Sequence, residues 1–127
     1  MTIKEDYVSF EVAKLLKEKG FDAEIDTYYS PEGEFKIWCP NGIKSYLNNN
    51  GTETWWWKCI TPTQQMAMKW LREVHNIHIN VCYDSTYSHH YKFYCCLGAK
   101  EKSDARRYDT YEQAAEAGIK YCLENLI

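Results

Sequence analysis

The stretches Thr61-Pro62-Thr63-Gln64-Gln65-Met66-Ala67 and Thr110-Tyr111-Glu112-Gln113-Ala114-Ala115 carry the same helix-start signal, each after a strand-like segment rich in aromatic residues. In both, a Thr hydroxyl precedes an apolar helix and a Gln follows three residues later, the pattern of a capping box. Pro62 adds a residue that needs no amide partner in the first helical turn. Working outward from these two starts, the spacing predicts helices over 62–76 and 111–126. The first buries Met66, Trp70, Val74 and Ile77 beside Ala67 and Leu71. The second buries Tyr111, Ala115, Ile119, Cys122 and Leu126, with Gly118 small enough for a close approach.

A third helix is read at the beginning of the chain. Ser9 caps it, Val8, Val12, Leu15 and Leu16 share one face, and Gly20 supplies the left-handed stop after Lys19. From Phe21 the period changes from 3.6 to 2. Phe21, Ala23, Ile25 and Thr27 alternate with Asp22, Glu24, Asp26 and Tyr28, so one face is expected to be buried and the other acidic. Ser30-Pro31-Glu32-Gly33-Glu34 is turn chemistry, and Phe35, Ile37 and Cys39 then alternate with Lys36 and Trp38, completing a β-hairpin. Residues 40–53, rich in Asn and Gly, read as a loop. A third strand follows at 55–60. Segments 78–84 and 91–97 form a second hairpin around residues 85–90, and residues 98–109 are polar with a short strand expected at 106–108.

The expected order is α-β-β-β-α-β-β-(β)-α. Short turns imply antiparallel pairing, and helices with one apolar stripe imply packing on one sheet face, which makes the chain an α+β protein. At 127 residues a single α+β domain over 1–127 is expected, burying about two-thirds of the surface its unfolded form exposes.

The aromatic share of 16% is high, from eleven Tyr, five Trp and four Phe, and the formal charge is −3. No polybasic arm or acidic block is present. The opening residues Met1 to Asp6 carry acids where a secretory signal needs cations and an apolar run, and no apolar stretch is long enough to span a membrane. A cytoplasmic setting is therefore expected, with the six Cys at 39, 59, 82, 95, 96 and 122 as reduced thiols that pack like small hydrophobes.

Residue types that do chemistry are present but scattered. The chain has no Cys-x-x-Cys and no His-x-x-x-His, and vicinal Cys95 and Cys96 point to opposite faces of a strand. Cys82, Cys95 or Cys96 could meet His78, His89 or His90 across the second hairpin, but no nucleophile elbow, zinc-protease helix or phosphate loop accompanies them. No catalytic residue, cofactor or metal is expected. A small thiol enzyme is the weaker alternative.

Trp55-Trp56-Trp57 is the most unusual local feature. In a strand, Trp56 faces opposite to its two neighbours, so one large ring lies away from the helix-covered side. It either tucks beneath loop 40–53, joins Trp38 and Tyr28 on an aromatic outer face, or contacts a partner. Trp38, Trp56, Tyr28 and Tyr46 are the candidate protein-contact residues, because Trp and Tyr are enriched at interface hot spots. The expected partner is another protein or a second copy of this chain.

Residues 9–76 also follow the α-β-β-β-α element order of double-stranded-RNA-binding domains, which offers a nucleic-acid alternative with Lys100, Lys102, Arg106 and Arg107 as its contacts. Against it, residues 1–77 hold nine basic and eleven acidic side chains, and the 62–76 helix opens without the lysines that grip phosphate in such domains.

Val8 to Phe21, Thr61 to Ile79 and Tyr108 to Ile127, roughly 40% of the chain, resemble a family of small uncharacterised proteins encoded by gut bacteria and their phages or mobile elements. The resemblance implies a mobile-element origin and a cytoplasmic setting. It carries no activity and no functional residues.

Overall fold

Ser9 Oγ accepts the Val12 N–H at 3.2 Å and starts α1 (Phe10–Glu18), with Glu11 in its first turn and Lys17 in its last. Gly20, at φ +90°, ends it, and the N–H groups of Gly20 and Phe21 close onto the carbonyls of Lys17 and Leu16. The computed structural model describes residues 1–43, 45–47, 49, 59–86 and 89–127. Among these residues it is an α+β fold with three α-helices and two three-stranded antiparallel sheets, in the order expected from sequence. The chain divides into two compact units, residues 7–63 and residues 64–127 with 1–6.

In the 7–63 unit, α1 buries Val12, Ala13 and Leu16. The sheet contains β1 (Thr27–Tyr29), β2 (Phe35–Ile37) and β3 (Cys59–Ile60) in the order β2-β1-β3, with Tyr28 opposite Lys36 on one side and Ile60 on the other. A strand beginning at Phe21 is not formed. Residues 21–26 make one bridge, in which Ile25 and Leu47 exchange backbone hydrogen bonds of 2.8 and 2.7 Å. Phe21, Ile25 and Thr27 are buried as the alternation requires, but Tyr28 is buried too, at 8% exposure. Its strand is central, and its ring meets Trp38 edge-on at 6.4 Å. Lys36 pairs with Glu34 of its own turn, at 3.5 Å. β2 lies at the sheet edge and all three of its residues are exposed, in place of the expected half-buried alternation.

A meander over these elements would put β2 in the middle. Here β1 is central, and the helix that follows β3 belongs to the other unit, so the α-β-β-β-α run is not one continuous module. Of the third strand expected at 55–60, Cys59–Ile60 is described. Trp55, Trp56 and Trp57 lie outside the described residues.

In the other unit, α2 (Gln64–His75) runs into β4 (Ile77–Asp84) through Asn76, whose φ is +54°. β4 pairs with β5 (His90–Leu97), which pairs with β6 (Lys100–Lys102), giving the order β4-β5-β6. Val81 stands opposite Phe93 and Ile79 opposite Cys95. α3 (Tyr111–Asn125) starts at Thr110, whose hydroxyl accepts the Gln113 N–H at 3.1 Å, while Gln113 Oε1 accepts the Asp109 N–H. The helix buries Ala114, Ala115, Gly118, Ile119, Cys122 and Leu123, leaving Tyr111 and Leu126 half-exposed at its ends.

The start of α2 departs from its sequence signal. Thr61 Oγ1 donates to the Cys59 carbonyl, and the Gln64 N–H donates to the Asp6 carbonyl at 2.8 Å. Gln64 Nε2 reaches α3, donating to the Glu112 carbonyl at 2.9 Å and to the Glu116 carboxylate at 3.2 Å. With Gln64 turned inward, α2 buries Ala67, Met68 and Leu71, and Met66 and Val74 of the expected stripe face out. The short strand expected at 106–108 is replaced by β6, and Tyr108 forms a single bridge with Tyr91.

Candidate functional site

The expected contact residues divide sharply in the 7–63 unit. Tyr28 is core and Trp38 is half-buried, whereas Tyr46 is 58% exposed and Trp56 lies outside the described residues. Exposed beside Tyr46 in sequence or sheet are three aliphatic and aromatic side chains that the expected contact set omits: Phe35 at 43%, Ile37 at 62% and Ile43 at 69% exposure.

Backbone hydrogen bonding gathers these residues. Trp38 N–H donates to the Asp26 carbonyl at 2.6 Å, so the chain continues beside β1 past the end of β2. Residues Pro40–Gly42 make a 3-10 turn, with Asn41 at φ +54°, and the Ile43 N–H returns to the Pro40 carbonyl at 3.0 Å. The Ser45 N–H then donates to the Trp38 carbonyl at 3.5 Å. That bond sits one residue from Ile37 on one side and one residue from Tyr46 on the other. The buried Ile25–Leu47 bridge and the Tyr28–Trp38 ring contact support the segment from within. At β2, Phe35 is flanked by the rings of Tyr7, at 4.9 Å, and Tyr29, at 5.9 Å. Alternation alone hid this surface, because it cannot tell an edge strand from a central one.

The basic residues of the nucleic-acid alternative are exposed. Lys100 and Lys102 sit on β6 opposite Leu97 and Cys95, with Glu101 between them. Arg106 and Arg107 follow Ala105, at φ +61°, in a turn that Asp104 closes by accepting the Arg106 N–H at 3.0 Å. The acids that dilute this segment in sequence are thus interleaved with it in space.

Thiols and imidazoles each have their own neighbours. Cys95 contacts Cys122, and Cys96 lies on the other face near Asn80 and Glu101, confirming the opposed directions of the vicinal pair. His78 contacts Asn76, the His89 ring stacks on Tyr83 and bonds its hydroxyl, and buried His90 stands 3.5 Å from Asp84. The Asp84 carboxyl is held below its usual range, first by the N–H and side chain of Thr86 and then by His90. Among the described residues no group of three or more His, Cys, Asp or Glu converges as a metal site would require.

An open groove of about 700 Å³ runs along β4, lined by Met68, Arg72, Asn80, Cys82, Tyr94 and Glu101 among others. Its charges are of both signs and its walls are splayed, which suits surface contact better than enclosure of a small molecule. Among the described residues no helix is long and apolar enough to cross a membrane.

The chain matches no protein-family model, no curated protein and no solved structure.

Proposed function

We propose that this is a non-enzymatic protein of a phage or mobile-element repertoire that works in the cytoplasm by binding another protein, with Ile37, Ile43 and Tyr46 at the contact. A second copy of the chain is one form such a partner takes. The observation that carries this reading is the exposure of Phe35, Ile37, Ile43 and Tyr46 around an edge strand and the turn that follows it. Large apolar side chains scattered singly need no explanation, but four exposed ones within twelve residues, carried by one edge strand and the hydrogen-bonded turn after it, fit an interface. Among the described residues β2 has a strand on one side only, and an edge of that kind lets a partner strand extend the sheet.

Capture of tagged protein from its own host, during ordinary growth and during phage growth, tests the reading. A partner retained by the native protein and lost from an Ile37→Glu/Ile43→Glu variant supports it. The nucleic-acid alternative predicts a different result: salt-sensitive retention of oligonucleotide that depends on Arg106 and Arg107 and ignores Ile37 and Ile43. The thiol-enzyme alternative predicts selective modification of one Cys near neutral pH that requires a His.

A further inference from the structure

Cys95 on β5 and Cys122 on α3 hold their sulfur atoms 3.1 Å apart with both side chains fully buried. An S–S bond of about 2.05 Å needs a further approach of about 1 Å. The approach is prepared by the packing around it. Gly118, one turn before Cys122, lets α3 lie close to Ile79 and Phe93, and Cys95 Sγ is also 3.8 Å from the Gly118 carbonyl. We propose that Cys95 and Cys122 are a modification site: a dithiol pair that a peroxide converts to an intramolecular disulfide tying α3 to the central strand β5.

The step balances with hydrogen peroxide as oxidant. The Cys95 thiolate attacks one peroxide oxygen, the O–O bond breaks, and hydroxide leaves and takes up a proton as water, giving a sulfenic acid. The Cys122 thiolate then attacks that sulfur, the S–O bond breaks, and a second water departs. Two thiols lose two electrons and two protons, and peroxide is reduced to two waters. Cys95 is assigned the first attack because the Cys122 S–H donates to it, an interaction that favours the Cys95 thiolate and raises the Cys122 thiol in turn. Because both sulfurs are buried, the oxidant gains access only when α3 opens locally, so the reaction is slower than oxidation of exposed Cys39 or Cys82. Cys96 is excluded by its direction, on the face opposite Cys95 and beside Glu101.

The folded protein is treated with hydrogen peroxide, remaining thiols are alkylated under denaturing conditions, and tryptic peptides are mapped by mass spectrometry. Cleavage at Lys92 and Lys100 leaves Cys95 and Cys96 on one peptide, so the experiment uses the Cys96→Ser variant. The expected result is peptide 93–100 joined to peptide 121–127 within a monomer. A dithiol-reversible rise of about 10 °C in melting temperature accompanies it, because the loop closed between residues 95 and 122 constrains the unfolded chain. Adding Cys122→Ala is expected to abolish the linked peptide while leaving Cys39 and Cys82 as reactive as before. Recovery of Cys95 and Cys122 as alkylated thiols after prolonged peroxide treatment in sub-denaturing urea, which populates local opening of α3, overturns the assignment. So does linkage of Cys95 to any cysteine other than Cys122.

Discussion

Asn49 fixes the position of Ile60: its Oδ1 accepts the Ile60 N–H at 3.1 Å, while its Nδ2 donates to the Phe21 carbonyl at 2.7 Å. One buried amide thus joins the segment after α1 to the short strand β3. Asn49→Ala removes both of these hydrogen bonds, at a cost of about 1–3 kcal/mol. Urea unfolding of native protein and variant measures this as a lowered midpoint. A change within about 0.5 kcal/mol, the size expected of an ordinary surface substitution, would contradict the bridging role.

Gly118 gives a second stability prediction. A Cβ there would lie 3.1 Å from Ile79 Cγ2 and 3.2 Å from Phe93 Cγ, and the Phe93 ring is itself held against Tyr108 and Tyr121. Overpacking costs about 1–3 kcal/mol, and the better helix propensity of Ala returns about 1 kcal/mol of it. Gly118→Ala should therefore destabilise by about 1 kcal/mol, and Gly118→Val, with a larger β-branched side chain and a poorer propensity, by more. Thermal unfolding of the two variants checks the order. A stabilised Gly118→Ala would mean that the β5–α3 contact yields easily.

These two residues also show what was legible in the sequence. Ser9, Gly20 and Thr110 act on their own helix ends, so local pattern located them correctly. Gly118 was legible for the same reason, as a small residue on a recognisable apolar face. Asn49 sits in a run of asparagines that resembles a turn, and nothing local marks it as a bridge to Phe21 and Ile60. Gln64 reads as half of a capping box, but a carbonyl and a carboxylate on α3 capture its amide, and α2 exposes Met66 and Val74 as a result. Tyr28 and Phe35 reversed their expected exposures because strand order, which depends on pairing across the sheet, makes β1 central and β2 an edge. Of the residues in the proposed contact surface, the sequence singled out Tyr46, which is exposed. The Trp38–Ser45 backbone bond, which joins the segments carrying Ile37 and Tyr46, is encoded by no periodicity.

Tyr108 gives a prediction at alkaline pH. Burial, reinforced by donation of its hydroxyl to the Asp104 carboxylate, pushes the phenol up to about 12. An unfolded Tyr titrates near 10. The folded state therefore holds this proton more tightly than the unfolded state. The resulting stabilisation is fully present below about pH 10 and is lost as pH rises through about 12. Tyr108→Phe cannot ionise, so the difference in urea midpoint between native protein and variant should shrink steadily over that window. Comparison with the variant removes the contribution of the other tyrosines. A constant difference from neutral pH to about pH 12 would contradict the assigned shift.

The proposed contact surface predicts how binding and folding separate. Ile37 and Ile43 are more than half exposed, so a Glu at either position removes little buried apolar area from the fold. At an interface the same change leaves a carboxylate desolvated among apolar groups, which weakens binding by a tenfold factor or more, about 1.4 kcal/mol at least. Tyr46→Ala should act in the same direction, and Tyr28→Ala should instead unfold the protein, because Tyr28 is core. Melting temperatures of the four variants, measured beside their binding, distinguish the two classes.

The most direct measurement is calorimetric titration of the captured partner, or of a second copy of the chain, with native protein and with the Ile37→Glu/Ile43→Glu variant. The account predicts at least a tenfold loss of affinity with the melting temperature unchanged. Equal affinity in the two proteins would contradict it.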